Sequence, residues 1–314
     1  MDFVAKRTWF MAISLVCVLA GLVSLLTPPS LVLGIEFTGG STMTVAFSRP
    51  VEQSDLRNLL ESNGHPDATI QSLDADRYFV RTRTLTDIGE SGKSDKVLLL
   101  ELLDNNYGIA DGPDFADVSG VVAQETVRNA AIAVAFAVVG ILLYITWAFR
   151  RIPSPFKYGV CAVVALVHDV VIVIGAFSIF GKTMGAQVDT MFITALLAVI
   201  GYSVNDTIVV FDRIRENIQR GVIRDFRSVA NFSLSETLGR SLNTSLTVIL
   251  TLLALFLIGG DTLRDFILVF LVGVTAGTYS SIGVATQLLV AWETKQSGGS
   301  PRSGLLGKLG LSRG

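Results

Sequence analysis

Cysteine, histidine and net charge are all scarce in this sequence. Its 314 residues include only two cysteines, Cys17 and Cys161, and two histidines. Both cysteines lie inside apolar runs, which argues against a disulfide framework and against a thiolate metal site. The net charge of −2 provides no basic excess that would attract nucleic acid. These shortages exclude the disulfide-rich class and speak against metal-dependent and nucleic-acid-binding functions.

Apolar residues, by contrast, are abundant. Half of the chain is hydrophobic and its mean hydropathy is +0.56, which is too apolar for an ordinary soluble protein. Six runs are long enough to cross a bilayer as helices, which takes about 20 residues. They are predicted at residues 9–26, 129–149, 158–180, 189–211, 237–258 and 266–291. The sequence therefore predicts a multi-pass membrane protein.

The first apolar run, WFMAISLVCVLAGLVSLL, follows Lys6 and Arg7. It is longer than the apolar region of a signal peptide, and the TPPS that follows is a poor cleavage site. We interpret residues 1–26 as a cytoplasmic N-terminus and an uncleaved first membrane helix.

The distribution of Lys and Arg predicts the orientation. Fifteen of the 25 basic residues lie in four segments and at the nearby Arg240, whereas the two short loops on the other side carry only Lys182 and Arg264. The four segments are residues 1–8, 150–157, 212–236 and 292–314. The positive-inside rule then places both termini in the cytoplasm and residues 27–128 outside. The Gly- and Ser-rich residues 292–314 are predicted to be a disordered cytoplasmic tail.

Residues 27–128 are predicted to form a water-facing domain, because they carry sixteen acidic and eight basic side chains. Apolar alternation predicts strands, and a longer apolar stripe predicts helices. The strands are predicted at 41–47, 68–73, 77–83 and 115–122, and the helices at 54–62 and 94–106. This β-α-β-β-α-β order is typical of a small ferredoxin-like α+β domain.

The stretch DIGESGKS (87–94) resembles the end of a phosphate-binding loop. Asp87, however, stands where the pattern requires its first glycine, and its negative charge would oppose a phosphate. We interpret the stretch as a polar loop on the outer side, and we do not expect ATP bound here to be an energy source.

Few charged or titratable side chains interrupt the predicted membrane helices: the pair His168-Asp169, then Asp206, and Arg240 near the inner end of its helix. Such residues usually mark ion or substrate paths, although they can also serve only to pair helices. At 1.5 Å per residue, Asp206 lies about 25 Å into the fourth helix and Arg240 about 31 Å into the fifth, counted from the outer side.

These levels would allow an ion pair between Asp206 and Arg240 if the two helices are neighbours. Asn205, Ser203 and Thr207 supply hydrogen-bonding groups beside Asp206. His168-Asp169 could extend a proton path or could simply bind a neighbouring helix.

Two further patterns concern the helices themselves. The SLSE at 233–236 resembles a capping box, which would open the fifth membrane helix and place Arg240 in its early turns. Gly273 and Gly277 in the sixth helix permit close helix packing.

Five segments resemble the SecD/SecF family of translocase subunits, and the last four resemble its smaller subunit in particular. They are GIEFTGGS (34–41), VALVHDV (164–170), GYSVNDTIVVFDRIREN (201–217), ETLGRSLNTSLT (236–247) and AGTYSSI (276–282). Two departures are Glu36, where Asp is usual, and a polar insert around 85–96. The resemblance covers residues 1 to about 292.

The resemblance implies a fold, a function and partners. The fold would be six transmembrane helices, at 1–26 and 129–291, forming half of a resistance-nodulation-division bundle with an external domain at 27–128. The function would be a non-enzymatic subunit that uses the proton gradient, without a cofactor, to promote preprotein export. The implied partners are SecD, the SecYEG channel, YajC and the preprotein in a bacterial cell membrane.

The family's functional Asp maps onto Asp206, and its functional Arg onto Arg240. His168-Asp169 matches a family motif. Two alternatives stay open at this point: a small-molecule efflux transporter of the same bundle type, and a structural scaffold for SecD.

Overall fold

The computed structural model describes residues 2–66, 68–73, 76–85, 94–221, 225–259 and 263–297. The chain divides into two compact units. We call Leu33–Ala131 the sheet unit, and Met1–Val32 together with Ile132–Gly314 the helical unit. The stretch resembling a phosphate-binding loop lies almost entirely outside the described residues, apart from Ser94, which caps the helix that follows it.

The described residues of the sheet unit form four strands, with helices before and between them. In chain order these are α2 (Ile35–Thr38), β1 (Gly40–Phe47), α3 (Gln53–Ser62), β2 (Thr69–Ser72), β3 (Arg77–Thr82), α4 (Asp95–Tyr107) and β4 (Ile109–Val118). The sheet order is β2-β3-β1-β4, and every neighbouring pair is antiparallel. This is the order of a ferredoxin-like sheet, so the predicted fold of this part is confirmed.

Alternation along the central strand explains where the core of the sheet unit lies. Met43, Val45 and Phe47 of β1 point to one face, because successive strand residues point to opposite faces. Leu56 of α3 and Leu103 of α4 cover that face, and both have no exposed surface. The apolar stripes of the two helices thus define one core.

The glycine pair before β1 allows a sharp turn that other residues would resist. Gly39 and Gly40 have φ of +71° and +125°, a region that residues with a Cβ rarely adopt. A Cβ on Gly40 would also lie 2.6 Å from the carbonyl oxygen of Thr82 in β3. Both conformation and space therefore require glycine at residue 40.

The end of the sheet unit differs from the sequence prediction. The last strand was expected at 115–122, but β4 begins at Ile109 and ends at Val118, and residues 120–122 are already helical. The hydroxyl of Ser119 accepts a hydrogen bond from the backbone N–H of Val122 at 3.3 Å. This contact satisfies a free N–H of the first helical turn and so favours helix from Gly120 onward.

The helical unit supplies the membrane helices, of which the second begins in the sheet unit. They are α1 (Arg7–Leu26), α5 (Gly120–Ala148), α6 (Pro155–Met184), α7 (Thr190–Arg220), α8 (Phe226–Ile258) and α9 (Arg264–Ser280), which continues through a π-helical segment (Ser281–Ala285) into α10 (Thr286–Ser297). Within the described ranges, six helices are long and apolar enough to cross a membrane. The six-helix prediction is confirmed.

Two boundaries of the helical unit correct the sequence prediction. The capping box at 233–236 is wrong, because α8 begins at Phe226, where the carboxylate of Asp225 accepts the N–H of Ser228 at 3.0 Å. Arg240 therefore lies in the fourth turn of α8 rather than in its early turns. In the expected disordered tail, residues 292–297 are helical, and the remainder lies outside the described residues.

Glycines set the closest approaches between the membrane helices. A Cβ on Gly273 of α9 would lie 2.3 Å from a methyl group of Val199 on α7, and one on Gly277 would lie 2.8 Å from the Cβ of Ser203. Gly21 of α1 and Gly175 of α6 meet in the same way, at 2.6 Å for a Cβ on Gly175. Backbones this close bring polar side chains on adjacent helices within hydrogen-bonding distance.

Candidate functional site

Asp206 lies in the interior of the helical unit, held by two other helices. It is buried, with 8 % of its surface exposed. Its Oδ1 accepts a hydrogen bond from the Oγ of Ser241 on α8 at 2.5 Å, and its Oδ2 accepts one from the Oγ of Ser281 at 2.6 Å. These distances are typical of a hydroxyl bound to a carboxylate. Both carboxylate oxygens therefore have a donor.

A second buried carboxylate, Asp169 of α6, has a similar environment and is 1 % exposed. Its Oδ2 accepts hydrogen bonds from Ser203 on α7 at 2.6 Å and from Ser280 on α9 at 2.7 Å. Its Oδ1 lies 3.0 Å from the Nδ1 of His168. The two carboxylates thus join α6, α7, α8 and α9 in one polar cluster inside an apolar bundle.

His168 completes the cluster on the side of α1. Its ring stacks against Tyr279 at a centroid distance of 6.5 Å, and the Tyr279 hydroxyl donates to the carbonyl oxygen of Phe10 at 2.5 Å. The other ring nitrogen, Nε2, is buried and has no hydrogen-bond partner among the described residues. A buried polar atom without a partner is uncommon, so Nε2 is the point of the cluster with free capacity for a hydrogen bond.

A second polar layer continues from Ser241 along α8. The Oγ of Ser245 lies 2.5 Å from the Oγ1 of Thr278 and accepts a hydrogen bond from the hydroxyl of Tyr202 at 3.0 Å. Ser245 also donates to the carbonyl oxygen of Ser241 at 2.9 Å. Hydroxyl groups therefore connect the surroundings of Asp206 to a side chain of α7 one turn away.

Arg240 and Asn205 lie outside this cluster. Ser241 points toward Asp206, and because consecutive helical residues are about 100° apart, its neighbour Arg240 points away and is exposed. Helices α7 and α8 are neighbours, as an ion pair would require. Among the described residues, however, Arg240 and Asp206 form no ion pair. Asn205 is exposed on α7 for the same geometric reason.

Ser203 and Thr207, which were expected to hydrogen-bond Asp206, bind other groups instead. Ser203 binds Asp169, and the hydroxyl of Thr207 donates to the backbone carbonyl of Ser203 at 3.2 Å. The actual donors, Ser241 and Ser281, were not identified from the sequence. The doublet Ser280-Ser281 within an apolar helix was the available signal, because two adjacent hydroxyls there must point to different neighbours.

The described part of the chain brings no group of three His, Cys, Asp or Glu side chains together in a way that could hold a metal ion. The cluster consists of carboxylates, hydroxyls and one imidazole.

The fold and the site define a multi-pass membrane protein with two buried carboxylates that accept hydrogen bonds from hydroxyl groups. The description "Protein export membrane protein SecD/SecF, C-terminal" matches residues 101–295, and the "SecD/SecF GG Motif" matches residues 31–51, which include Gly39 and Gly40. The chain belongs to the SecD/SecF family of protein export membrane proteins.

Similar proteins carry the same family name. The chain is 42 % identical over 301 residues to the protein translocase subunit SecF of Thermobaculum terrenum, covering 94 % of both chains. It is 32 % identical over 299 residues to the SecDF subunit of Bacillus subtilis, covering 94 % of this chain and 38 % of that protein. These relatives are named as translocase subunits, which favours protein export over the small-molecule efflux alternative.

The crystal structure of SecDF from Thermus thermophilus, described as a translocon-associated membrane protein, has a similar fold. Its TM-score is 0.80 at 33 % identity, over 94 % of this chain and 39 % of that one. A SecDF structure in a super-membrane-facing form has a TM-score of 0.64 at 34 % identity, over 95 % of this chain and 39 % of that one.

Proposed function

We propose that this chain is a subunit of the protein-export machinery that uses the proton gradient, and that Asp206 takes up and releases the proton. The observation that carries the proposal is the burial of Asp206 in a membrane helix with a hydroxyl donor on each oxygen. A carboxylate at such a position is costly and is usually kept for function. The proposed activity is transport-coupled rather than enzymatic.

The partners of Asp206 suit a group that changes its protonation state. Ser241 and Ser281 donate to the ionised carboxylate, and the same hydroxyls can accept a hydrogen bond from the protonated carboxyl group. A site with only donors, such as lysine or backbone N–H groups, would favour the ionised form alone. The serine pair allows both forms to be satisfied inside the membrane.

Arg240 is proposed to act as a counter-charge in a second arrangement of the helices. It lies one residue from Ser241, so a rotation of α8 about its axis would bring the guanidinium toward Asp206 as Ser241 leaves. Asn205, His168 and Asp169 are proposed to extend the proton path. A similar SecDF structure is described as a super-membrane-facing form, which supports more than one arrangement in this family.

The proposed partners are SecD, the SecYEG channel, YajC and the translocating preprotein. The protein is proposed to lie in the bacterial cell membrane with both termini in the cytoplasm, since 15 of 25 basic residues fall on that side. No cofactor is proposed, because the proton gradient would supply the energy. Protonation of Asp206 would shift the helical unit between two states, and this shift would act on the exported chain.

The experiment is preprotein export in membrane vesicles that contain the complete complex, with and without a proton gradient. Asp206→Asn keeps the shape and hydrogen bonding of the side chain but cannot exchange a proton. We expect the stimulation of export by the gradient to be lost and gradient-independent export to remain. Asp212→Asn is the matched control, because Asp212 lies on the same helix but is half-exposed and paired with Arg215.

The assembly of the complex is checked by co-purification with SecD for both variants. Stimulation of export at the wild-type level in Asp206→Asn would reject the proton-carrier role and favour the scaffold alternative. Equal losses in both variants would point to a general effect of the charge of α7 rather than to a proton site.

A further inference from the structure

The sixth membrane helix is not regular where it meets the carboxylates. Between α9 and α10 the backbone forms a π-helical segment, Ser281–Ala285, whose five residues are all buried. A π turn is wider than an α turn and is frequently found at functional sites. Here it begins at the serine that binds Asp206.

Side chains of α10 stabilise the wide turn. The carbonyl oxygen of Ser281 accepts both the backbone N–H and, at 2.8 Å, the hydroxyl of Thr286. The carbonyl oxygen of Ile282 accepts the side-chain amide of Gln287 at 3.2 Å. Thr286 and Gln287 are 0 % and 1 % exposed, and within the described ranges the Oε1 of Gln287 has no partner. The turn is therefore held by two specific side-chain hydrogen bonds.

Ser280 and Ser281 form the junction between α9 and the π turn, and each donates a hydrogen bond to one of the two carboxylates. Ser280 ends α9 and donates to Asp169 on α6, while Ser281 begins the π turn and donates to Asp206 on α7. One peptide bond separates the two donors, so a movement of either serine displaces the other. Each carboxylate also has a donor from a regular helix: Ser203 for Asp169 and Ser241 for Asp206.

We propose that the Ser280-Ser281 junction couples the two carboxylates, so that a proton arriving on Asp206 alters the hydrogen bonding of Asp169 through the π turn. The inference rests on the proposed function of Asp206. The incoming proton binds one Oδ of Asp206, and no covalent bond other than that O–H forms or breaks. When that oxygen is protonated, the Ser281 hydroxyl must turn from donor to acceptor, and this reorientation at the π turn moves Ser280 relative to Asp169.

The charged and titratable groups around the cluster allow this coupling. On α6 they are His168 and Asp169, and on α7 Tyr202 and Asp206. On α9 the group is Tyr279, and on α1 it is Cys17. On α8, Arg240 is exposed and forms no ion pair with either carboxylate among the described residues. On α10, Glu293 is paired with Lys157 at 2.8 Å. The adjacent hydroxyls of Ser280 and Ser281 thus link Asp169 and Asp206 directly through the sixth membrane helix.

The test measures the protonation of Asp206 in the assembled complex, by the extent of carbodiimide labelling of that carboxyl as a function of pH. Ser280→Ala does not touch Asp206, so a merely structural role would leave the labelling profile in place. We expect its midpoint to move by at least half a pH unit, roughly a threefold change in proton binding. Ser203→Ala is the matched control, since it removes the other donor to the same oxygen of Asp169.

Two further variants keep the proposal testable if Ser280→Ala assembles poorly. Ser280→Thr retains the hydroxyl and should restore the wild-type midpoint. Thr286→Val removes a hydroxyl that stabilises the π turn while keeping the side-chain shape, and it should move the midpoint as Ser280→Ala does. An unchanged midpoint in Ser280→Ala and Thr286→Val overturns the proposal. Equal shifts in Ser280→Ala and Ser203→Ala also overturn it, because the coupling would then be electrostatic.

The outcome is separable from that of the proposed function. If Asp206→Asn abolishes the stimulation by the gradient while Ser280→Ala leaves the midpoint in place, the proton site stands and the coupling fails. If Asp206→Asn exports normally, the proposed function fails, and the labelling profiles still decide whether the two carboxylates are coupled.

Discussion

The sheet unit and the helical unit both bury apolar side chains, but they differ in where their carboxylates lie. In the sheet unit, apolar residues such as Leu56 and Leu103 are fully buried, and acidic residues such as Asp111 and Asp114 are exposed. In the helical unit, Leu257 is 79 % exposed, whereas Asp169 is 1 % exposed. The difference follows from the solvent, because lipid is as apolar as leucine and provides no reason to bury it. Of these carboxylates, the one in the helical unit is therefore buried and those in the sheet unit are exposed.

The difference in solvent also changes what holds each unit together. Burial of apolar area stabilises the sheet unit by about 25 cal/mol per Å² removed from water. Between membrane helices that driving force is absent, so close packing at small residues and interhelical hydrogen bonds remain. Gly273 against Val199 and Ser281 against Asp206 represent these two contributions. Mutations of the same size should thus act through different mechanisms in the two units.

The largest effect is expected from Leu103→Ala in the sheet unit. Removing a fully buried leucine side chain costs about 2–5 kcal/mol of the free energy of unfolding. Hydrogen exchange of β1 and β3 in the full chain measures the loss as faster exchange. Leu98→Ala is the control, because Leu98 lies on the same helix but is 38 % exposed. Similar acceleration by both substitutions would contradict a core centred on Leu103.

A smaller effect is expected from Gly273→Ala in the helical unit. The added methyl group would lie 2.3 Å from a methyl group of Val199, so α7 and α9 must move apart at a cost of about 1–3 kcal/mol. The thermal unfolding of the purified complex in detergent should occur at lower temperature. Gly201→Ala is the control, since a Cβ there meets nothing within 4 Å. The double variant with Val199→Ala should recover most of the loss, and failure to recover it would contradict the packing explanation.

The contrast between the units also explains which features could be predicted from the sequence. Hydropathy predicts the six membrane helices because each must present apolar residues to lipid along about 20 residues. Alternation predicts β1 and β3 because one face of each strand is buried. Asp206 and Asp169 could be identified as candidates because a charge in a membrane helix is costly and therefore conspicuous.

Orientation within the helices could not be predicted in the same way. Whether Arg240 or Ser241 points toward Asp206 depends on the rotation of α8, which packing decides. The serine partners carry no charge and are common in membrane helices, so they provide little signal. The π turn depends on contacts of Thr286 and Gln287 with the backbone, for which no sequence pattern is established. The start of α8 was misplaced because Asp225 provides a cap eight residues before the apparent capping box.

The smallest effect is expected from Asp117→Asn, which tests whether a carboxylate matters in the sheet unit. Partial desolvation tends to raise the pKa of Asp117, but hydrogen bonds from Lys96 and Ser41 and the charge of Lys96 together lower it. A lowered folded-state pKa means that the carboxylate stabilises the fold above its unfolded pKa of about 3.9, and that this stability is lost as the pH falls through the folded-state value. Because the pair is about one-third exposed and screened by water, the loss of free energy of unfolding in Asp117→Asn at neutral pH should not exceed about 1 kcal/mol.

Hydrogen exchange of β1 at neutral and acidic pH measures this loss, with the exposed Asp114→Asn on the same strand as control. The difference between Asp117→Asn and wild type should shrink at acidic pH, and a difference that persists there would show that the side chain acts through packing rather than charge.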